Sequence, residues 1–165
     1  MKLSTKGRYA VTALADIALQ GEEALVSLGD IAARQNISLA YLEQLFVKLR
    51  KAGIVHSVRG PGGGYRLTKG AEGTRISDVM AAVDERLSAM ACEGTPGRGC
   101  GGADGRGCGA ADAACLTHNL WEQLSSHVYV FLNQTTLADV VGDRIEPCPA
   151  VPNFSMALNV EETTA

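Results

Sequence analysis

The sequence predicts a mainly α fold carrying a small β-hairpin wing, that is, a winged helix-turn-helix followed by a long dimerisation helix. Three observations lead there. Two short amphipathic segments, Ser27–Gln35 and Ser38–Ala52, are separated by a turn of about three residues. Two short apolar stretches then flank the glycine-rich turn Arg59-Gly60-Pro61-Gly62-Gly63-Gly64. Finally, Leu116, Leu120, Leu124, Val128 and Phe131 recur at spacings of four, four, four and three, the period of a helix with one long apolar face.

The first element is a helix over residues 6–19, where Tyr9, Ala10, Ala13, Leu14, Ile17 and Ala18 form a stripe that ends at Gly21. Ser27 is the expected N-cap of the second, with Asp30 completing a weaker capping box and Asn36 taking the left-handed position that stops it. Ser38 is the expected cap of the third, which turns Tyr41, Leu42, Leu45, Phe46 and Leu49 to one face and ends at Gly53. Residues 54–58 and 65–67 read as the strands of the wing. Residues 75–84 form a short amphipathic helix with Ser77 as its N-cap. The long helix runs from Thr117 to about Gln134, widened by Trp121 and Leu132, and its apolar face exceeds what a small winged domain needs for its own core. Thr136–Val141 adds a last short helix. Pro147, Pro149 and Pro152 mark a disordered tail holding Cys148 as a spectator. The expected organisation is a winged DNA-binding domain over 1–69, a ligand loop and dimerisation helices over 70–141, and a tail over 142–165.

Charge divides along the same line. Residues 1–69 hold ten Lys and Arg against five Asp and Glu, whereas 70–165 hold five against thirteen, so +5 and −8 make the net −3. A basic N-terminal half suggests a polyanionic partner. The exposed face of the third helix offers Leu39, Ala40, Glu43, Gln44, Lys48 and Lys51. In a major groove Gln pairs with adenine and Glu accepts from cytosine N4. Arg59 suits a minor groove, and the adjacent glycines let backbone approach phosphate. Singly, a polar helix face is solvated surface and a Gly-Pro turn is only a turn. In this order, and with this charge division, they point to double-stranded DNA. A nucleotide phosphate loop is excluded, because the glycines lack a Gly-Lys-Ser/Thr ending and no helix follows.

The stretch from Cys92 to His118 needs a different explanation. Its 27 residues hold Cys92, Cys100, Cys108 and Cys115, with eight glycines between the first and last cysteine. Neither backbone preference nor burial of its alanines orders such a loop, whereas thiolates and an imidazole bind soft transition metals. Met1 leads directly into Lys2 and a helical pattern, and no apolar run has the length of a membrane span, so a cytoplasmic protein is expected. There, cysteines serve metal or redox chemistry more often than disulfides. Cys115 and His118 form an i, i+3 pair at the start of the long helix, and Cys92 follows the preceding one. Wide, uneven spacing without Cys-x-x-Cys favours an iron–sulfur cluster over zinc, with a thiol redox switch as a further option. A reactive-thiol enzyme is disfavoured, because no His, Asp or Glu is placed as partner in a preformed cleft.

Residues 1–10, 37–46 and 58–65 (Met-Lys-Leu-Ser-Thr-Lys-Gly-Arg-Tyr-Ala, Ile-Ser-Leu-Ala-Tyr-Leu-Glu-Gln-Leu-Phe and Val-Arg-Gly-Pro-Gly-Gly-Gly-Tyr) resemble the Rrf2 family of winged-helix regulators. Ala82-Val-Asp-Glu85, Cys92, and Cys115-Leu-Thr-His118 leading into Leu120-Trp121 are similar to its iron–sulfur members, which extends the likeness to about residue 141. The resemblance implies a non-enzymatic repressor of iron–sulfur assembly genes, a homodimer on operator DNA that takes a [2Fe–2S] cluster from the assembly machinery and recognises a different class of site without it. It places Glu43, Gln44 and Arg59 against DNA, within a contact set of Ser38, Leu39, Ala40, Tyr41, Glu43, Gln44, Lys48, Arg59 and Gly60. It makes Cys92, Cys115 and His118 cluster ligands. This loop is about twice the family's usual length and holds two candidates for the central ligand: Cys108, which is nearer Cys115 and His118 in the sequence, with Cys100 as its alternative. Other readings are a nitric oxide, redox or zinc sensor of the same family, and, in another class, an iron–sulfur carrier or scaffold.

Overall fold

A computed structural model describes residues 4–85, 87 and 117–146. The chain runs α1 (Thr5–Leu19), α2 (Leu28–Gln35), α3 (Leu39–Lys51), β1 (Val55–Val58), β2 (Gly64–Leu67), α4 (Ile76–Ala82), α5 (His118–Gln134) and α6 (Leu137–Val141). Most of the expected stripe of α1 is its packing face: Ala10, Ala13, Leu14 and Ile17 are buried and Ala18 half-buried, whereas Tyr9 is exposed beside Tyr41. Ser4 caps the helix by accepting from the Lys6 N–H at 3.2 Å.

α2 and α3 form the helix-turn-helix. Ser27 accepts from the Asp30 N–H at 3.1 Å, and its hydroxyl, rather than its own N–H, donates back to the Asp30 carboxylate at 2.7 Å. Asn36 stops α2 in the left-handed region, at φ 51° and ψ 46°. Ser38 holds the N-cap position of α3, but its hydroxyl makes no capping bond. The Tyr41 N–H that it would take already donates to the Ser38 carbonyl at 3.1 Å, a tight first turn. Leu42, Leu45, Phe46 and Leu49 are buried. Phe46 meets the Tyr65 ring edge to face at 4.9 Å, which seats the helix on the wing.

β1 and β2 pair antiparallel, with Val55 opposite Leu67 and Val58 opposite Gly64. A third segment joins them that the sequence does not announce: Val26 bridges Tyr65 through Val26 N–H to Tyr65 carbonyl at 3.0 Å and the return bond at 2.8 Å. Gly64 permits this pairing, because a Cβ there would lie 2.7 Å from the Val26 carbonyl oxygen.

The helix expected over 75–84 is shorter, and its cap differs. The Ile76 N–H donates to the Thr135 carbonyl at 3.0 Å, so α4 starts there and Arg75 takes the N-cap position. Ser77 is therefore inside the helix, buried, and donates to the Asn133 side chain of α5 at 3.1 Å. α6 carries a complete capping box between Thr136 and Asp139 and lies against α1, with Leu137 buried. One core thus joins α1, α2, α3 and β1 to α4 and α6. α5 meets α4, and Leu132 reaches the core. Toward its other end Leu120, Trp121 and Leu124 are exposed, Leu120 by 60%.

Asp16 is only 3% exposed and ties α1 to α2, accepting from Arg34 Nε at 3.1 Å and Nη2 at 2.5 Å and from Gln35 Nε2 at 2.7 Å. The Arg34 hydrogen bond, opposed by burial and helped by Gln35, holds its carboxyl below the ordinary range. Hydrogen bonds to a charged group contribute about 1.5–3 kcal/mol, so Asp16→Asn is expected to lower stability by roughly 2 kcal/mol in a urea titration. Because the folded carboxyl titrates lower than the unfolded one, this contribution is present above the unfolded pKa of about 3.9 and disappears as pH falls through the folded value. The variant's deficit should therefore shrink in strong acid. A deficit that stays constant down to acid unfolding would count against the pairing.

Candidate nucleic-acid interface and ligand stretch

Opposite the buried face of α3, Leu39, Ala40, Glu43, Gln44, Val47 and Lys51 are exposed, and Ser38 precedes them in the open. On the wing Arg59 and Gly60 are exposed as well. Two residues of the expected contact set are engaged within the protein. Tyr41 is half-buried, edge-on to the Tyr9 ring at 5.9 Å, with its hydroxyl 3.5 Å from that of Thr5. Lys48 forms a 2.6 Å ion pair with Asp84. The wing glycines also divide. Gly64 is required by the crossing Val26 backbone, whereas Gly62 sits in open space at φ 76° and shapes the turn itself.

Asp84 and Glu85, just past α4, hold the other end of this surface. The Lys48 hydrogen bond keeps the Asp84 carboxyl below its ordinary range. Glu85 accepts from the Ser4 N–H at 2.9 Å, the Ser4 hydroxyl and the Gly7 N–H at 3.3 Å. Burial pushes its carboxyl up, but these bonds outweigh it and the net shift is downward. In the sequence these two acids stand out only as part of the Ala82–Glu85 motif, because their partners lie 36 to 81 residues away.

Cys92, Cys100, Cys108, Cys115 and Cys148 lie outside the described residues, as does the His118 side chain, and His118 is placed only as the first residue of α5. Among the described residues no three His, Cys, Asp or Glu side chains converge on a metal-sized site. A metal centre in this chain would draw on that stretch, whose thiolates and imidazole suit iron–sulfur or zinc. No helix among the described residues is long and apolar enough to cross a membrane.

A family model described as "Rrf2: Iron-dependent Transcriptional regulator" matches residues 3–143. The chain belongs to the Rrf2 family. It is 56% identical to the HTH-type transcriptional regulator IscR of Cereibacter sphaeroides over 155 residues, 92% of this chain and 94% of that one. Among solved structures, IscR of T. potens superposes with a TM-score of 0.66 at 35% identity, over 88% of this chain and 90% of that one. CymR, the global cysteine regulator of B. subtilis, does so with 0.69 at 31% identity, over 87% and 98%. The mainly helical winged fold expected from the sequence is that of these Rrf2 regulators, and the chain is an Rrf2 transcriptional regulator of the IscR type rather than an enzyme.

Proposed function

We propose that this regulator is a homodimeric, cytoplasmic repressor of iron–sulfur assembly genes that binds operator DNA according to whether it carries a [2Fe–2S] cluster. The observation that carries the reading is the exposed Glu43 and Gln44 of α3 beside the Arg59 wing, on a chain with four cysteines within 24 residues of its acidic half. α3 would enter a major groove, where Gln44 addresses adenine and Glu43 a cytosine amino group, while Arg59 follows the minor groove. The exposed apolar residues of α5, from Leu120 and Trp121 to Phe131, support a second copy as the partner of that helix. Residues 1–69 serve DNA and 70–141 serve ligand and dimer contacts. Cys92, Cys108 (or Cys100), Cys115 and His118 would hold the cluster, delivered by the assembly machinery. When bound, the cluster would cross-link cysteines far apart in a glycine-rich stretch of the sequence. A histidine among three thiolates makes that cross-link easier to lose, because the imidazole protonates or exchanges.

Anaerobic purification, with an absorption spectrum and iron, sulfide and zinc counts on one sample, tests this. A [2Fe–2S] protein gives about two irons and two sulfides per chain with a red-brown colour. Cys108→Ala is expected to lose them and Cys100→Ala to keep them, and the reverse result moves the central ligand. Zinc without sulfide would make the protein a zinc sensor. A cluster that loads without any binding to DNA from its own upstream region would favour a carrier.

A further inference from the structure

We propose that Asp84 masks Lys48 of α3 from phosphate, so that the acidic lead-in to the cysteine stretch competes with DNA for a lysine of the recognition helix. Lys48 lies one helical turn beyond Gln44 on the same face. Its ammonium is 2.6 Å from the Asp84 carboxylate, with the two side chains 40% and 75% exposed. The pair therefore faces solvent, where a phosphate oxygen can replace the carboxylate without opening the core. Asp84 is held for this position from both sides. Val83 before it is fully buried, and Glu85 after it is bonded to the Ser4 and Gly7 N–H groups. Between them Asp84 adopts φ 55°, a left-handed turn that ends α4 and directs its side chain to α3. A lysine already neutralised by a protein carboxylate contributes little attraction to DNA and releases fewer counterions on binding. A shift of the chain at residues 84–85 would unmask Lys48. Cys92 lies seven residues beyond Glu85, so the ligand stretch begins close to this point in the chain.

A purely structural pair makes the opposite prediction, because removing a bolt between α4 and α3 should loosen DNA binding. The inference rests on α3 and the wing being the DNA surface, and the experiment separates the two ideas. Full-length protein of matched metal content is titrated by fluorescence anisotropy with a mixed-sequence duplex across a salt series. Asp84→Asn is the variant of choice, because asparagine tolerates the left-handed position. It is expected to bind about two- to five-fold tighter at low salt, and its log K against log salt should steepen by up to about 0.9. In a Lys48→Ala background the same substitution should change neither quantity. Asp78→Asn removes the same charge from the first turn of α4 and should give less than half the gain. The mask is overturned if Asp84→Asn binds no tighter, if its gain persists without Lys48, or if Asp78→Asn matches it. Arg59→Ala reads the surface independently. If it binds as the parent does, the interface assignment fails; if it weakens while Asp84→Asn gives no gain, only the mask fails.

Discussion

Gly64→Ala is expected to unseat the wing and cost the protein both stability and DNA affinity. A methyl at this position would meet the carbonyl oxygen, carbonyl carbon and nitrogen of Val26 at 2.7, 2.8 and 2.8 Å, and all three atoms are backbone. No rotamer change can relieve that contact, so the Val26–Tyr65 bridge must open. Two backbone hydrogen bonds, each contributing about 0.5–1.5 kcal/mol, would be lost with it. Val26 is buried, and Tyr65 packs edge-on against Phe46 of α3, so the damage extends to the seat of α3. A loss of about 2–4 kcal/mol follows. Gly62→Ala supplies the contrast: nothing lies within 4 Å of its Cβ, and only the φ of 76° is unfavourable, by about 1–2 kcal/mol. Urea titrations of both variants, read beside duplex binding at fixed salt, decide it. Equal destabilisation by the two would mean that the Val26 crossing contributes nothing.

That contrast also marks what a linear reading of the chain can reach. The stripe of α1, the Asn36 stop and the hairpin of the wing were legible, because helix period, a left-handed cap and a Gly-Pro turn are local signals. The Val26 bridge was not, since a single isolated pairing leaves no alternation to read. Ser77 misled for a related reason. Its type and place suit an N-cap, but the Thr135 carbonyl, far along the chain, decides where α4 begins. Ser38 sat where expected and still made no capping bond, because the tight turn had taken the N–H it needed. Asp16, an acid within an apolar stripe, is explained only by Arg34 and Gln35 of the next helix. At the candidate interface, the exposure of Glu43, Gln44 and Arg59 followed from faces and turns. The pairing of Lys48 with Asp84 spans 36 residues and could not be counted off any helix.

If the proposed cluster-dependent repressor is right, Glu43→Ala is expected to let the cluster-free protein bind operators that would otherwise require the cluster. Glu43 is exposed on the outer face of α3, so its carboxylate keeps its water until the helix docks. Against a base pair presenting a cytosine amino group, the lost hydration is replaced by an accepted hydrogen bond. Against a pair without a donor, the carboxylate is stripped of water and left unpaired; a mismatched base pair costs about 1–3 kcal/mol, roughly a five- to 150-fold loss in affinity. In the proposed function, cluster binding is what relieves that loss, and truncation to alanine would remove its cause altogether. The substitution should therefore separate two effects that the parent combines, raising cluster-free affinity for such operators while lowering discrimination at the contacted base pair. The measurement uses a duplex that the cluster-loaded parent selects from a random pool, titrated with cluster-free parent and cluster-free Glu43→Ala. Recovery of binding to near the cluster-loaded value places discrimination at this carboxylate. If the variant without its cluster still ignores the duplex, Glu43 is a solvated surface residue and does not carry the discrimination.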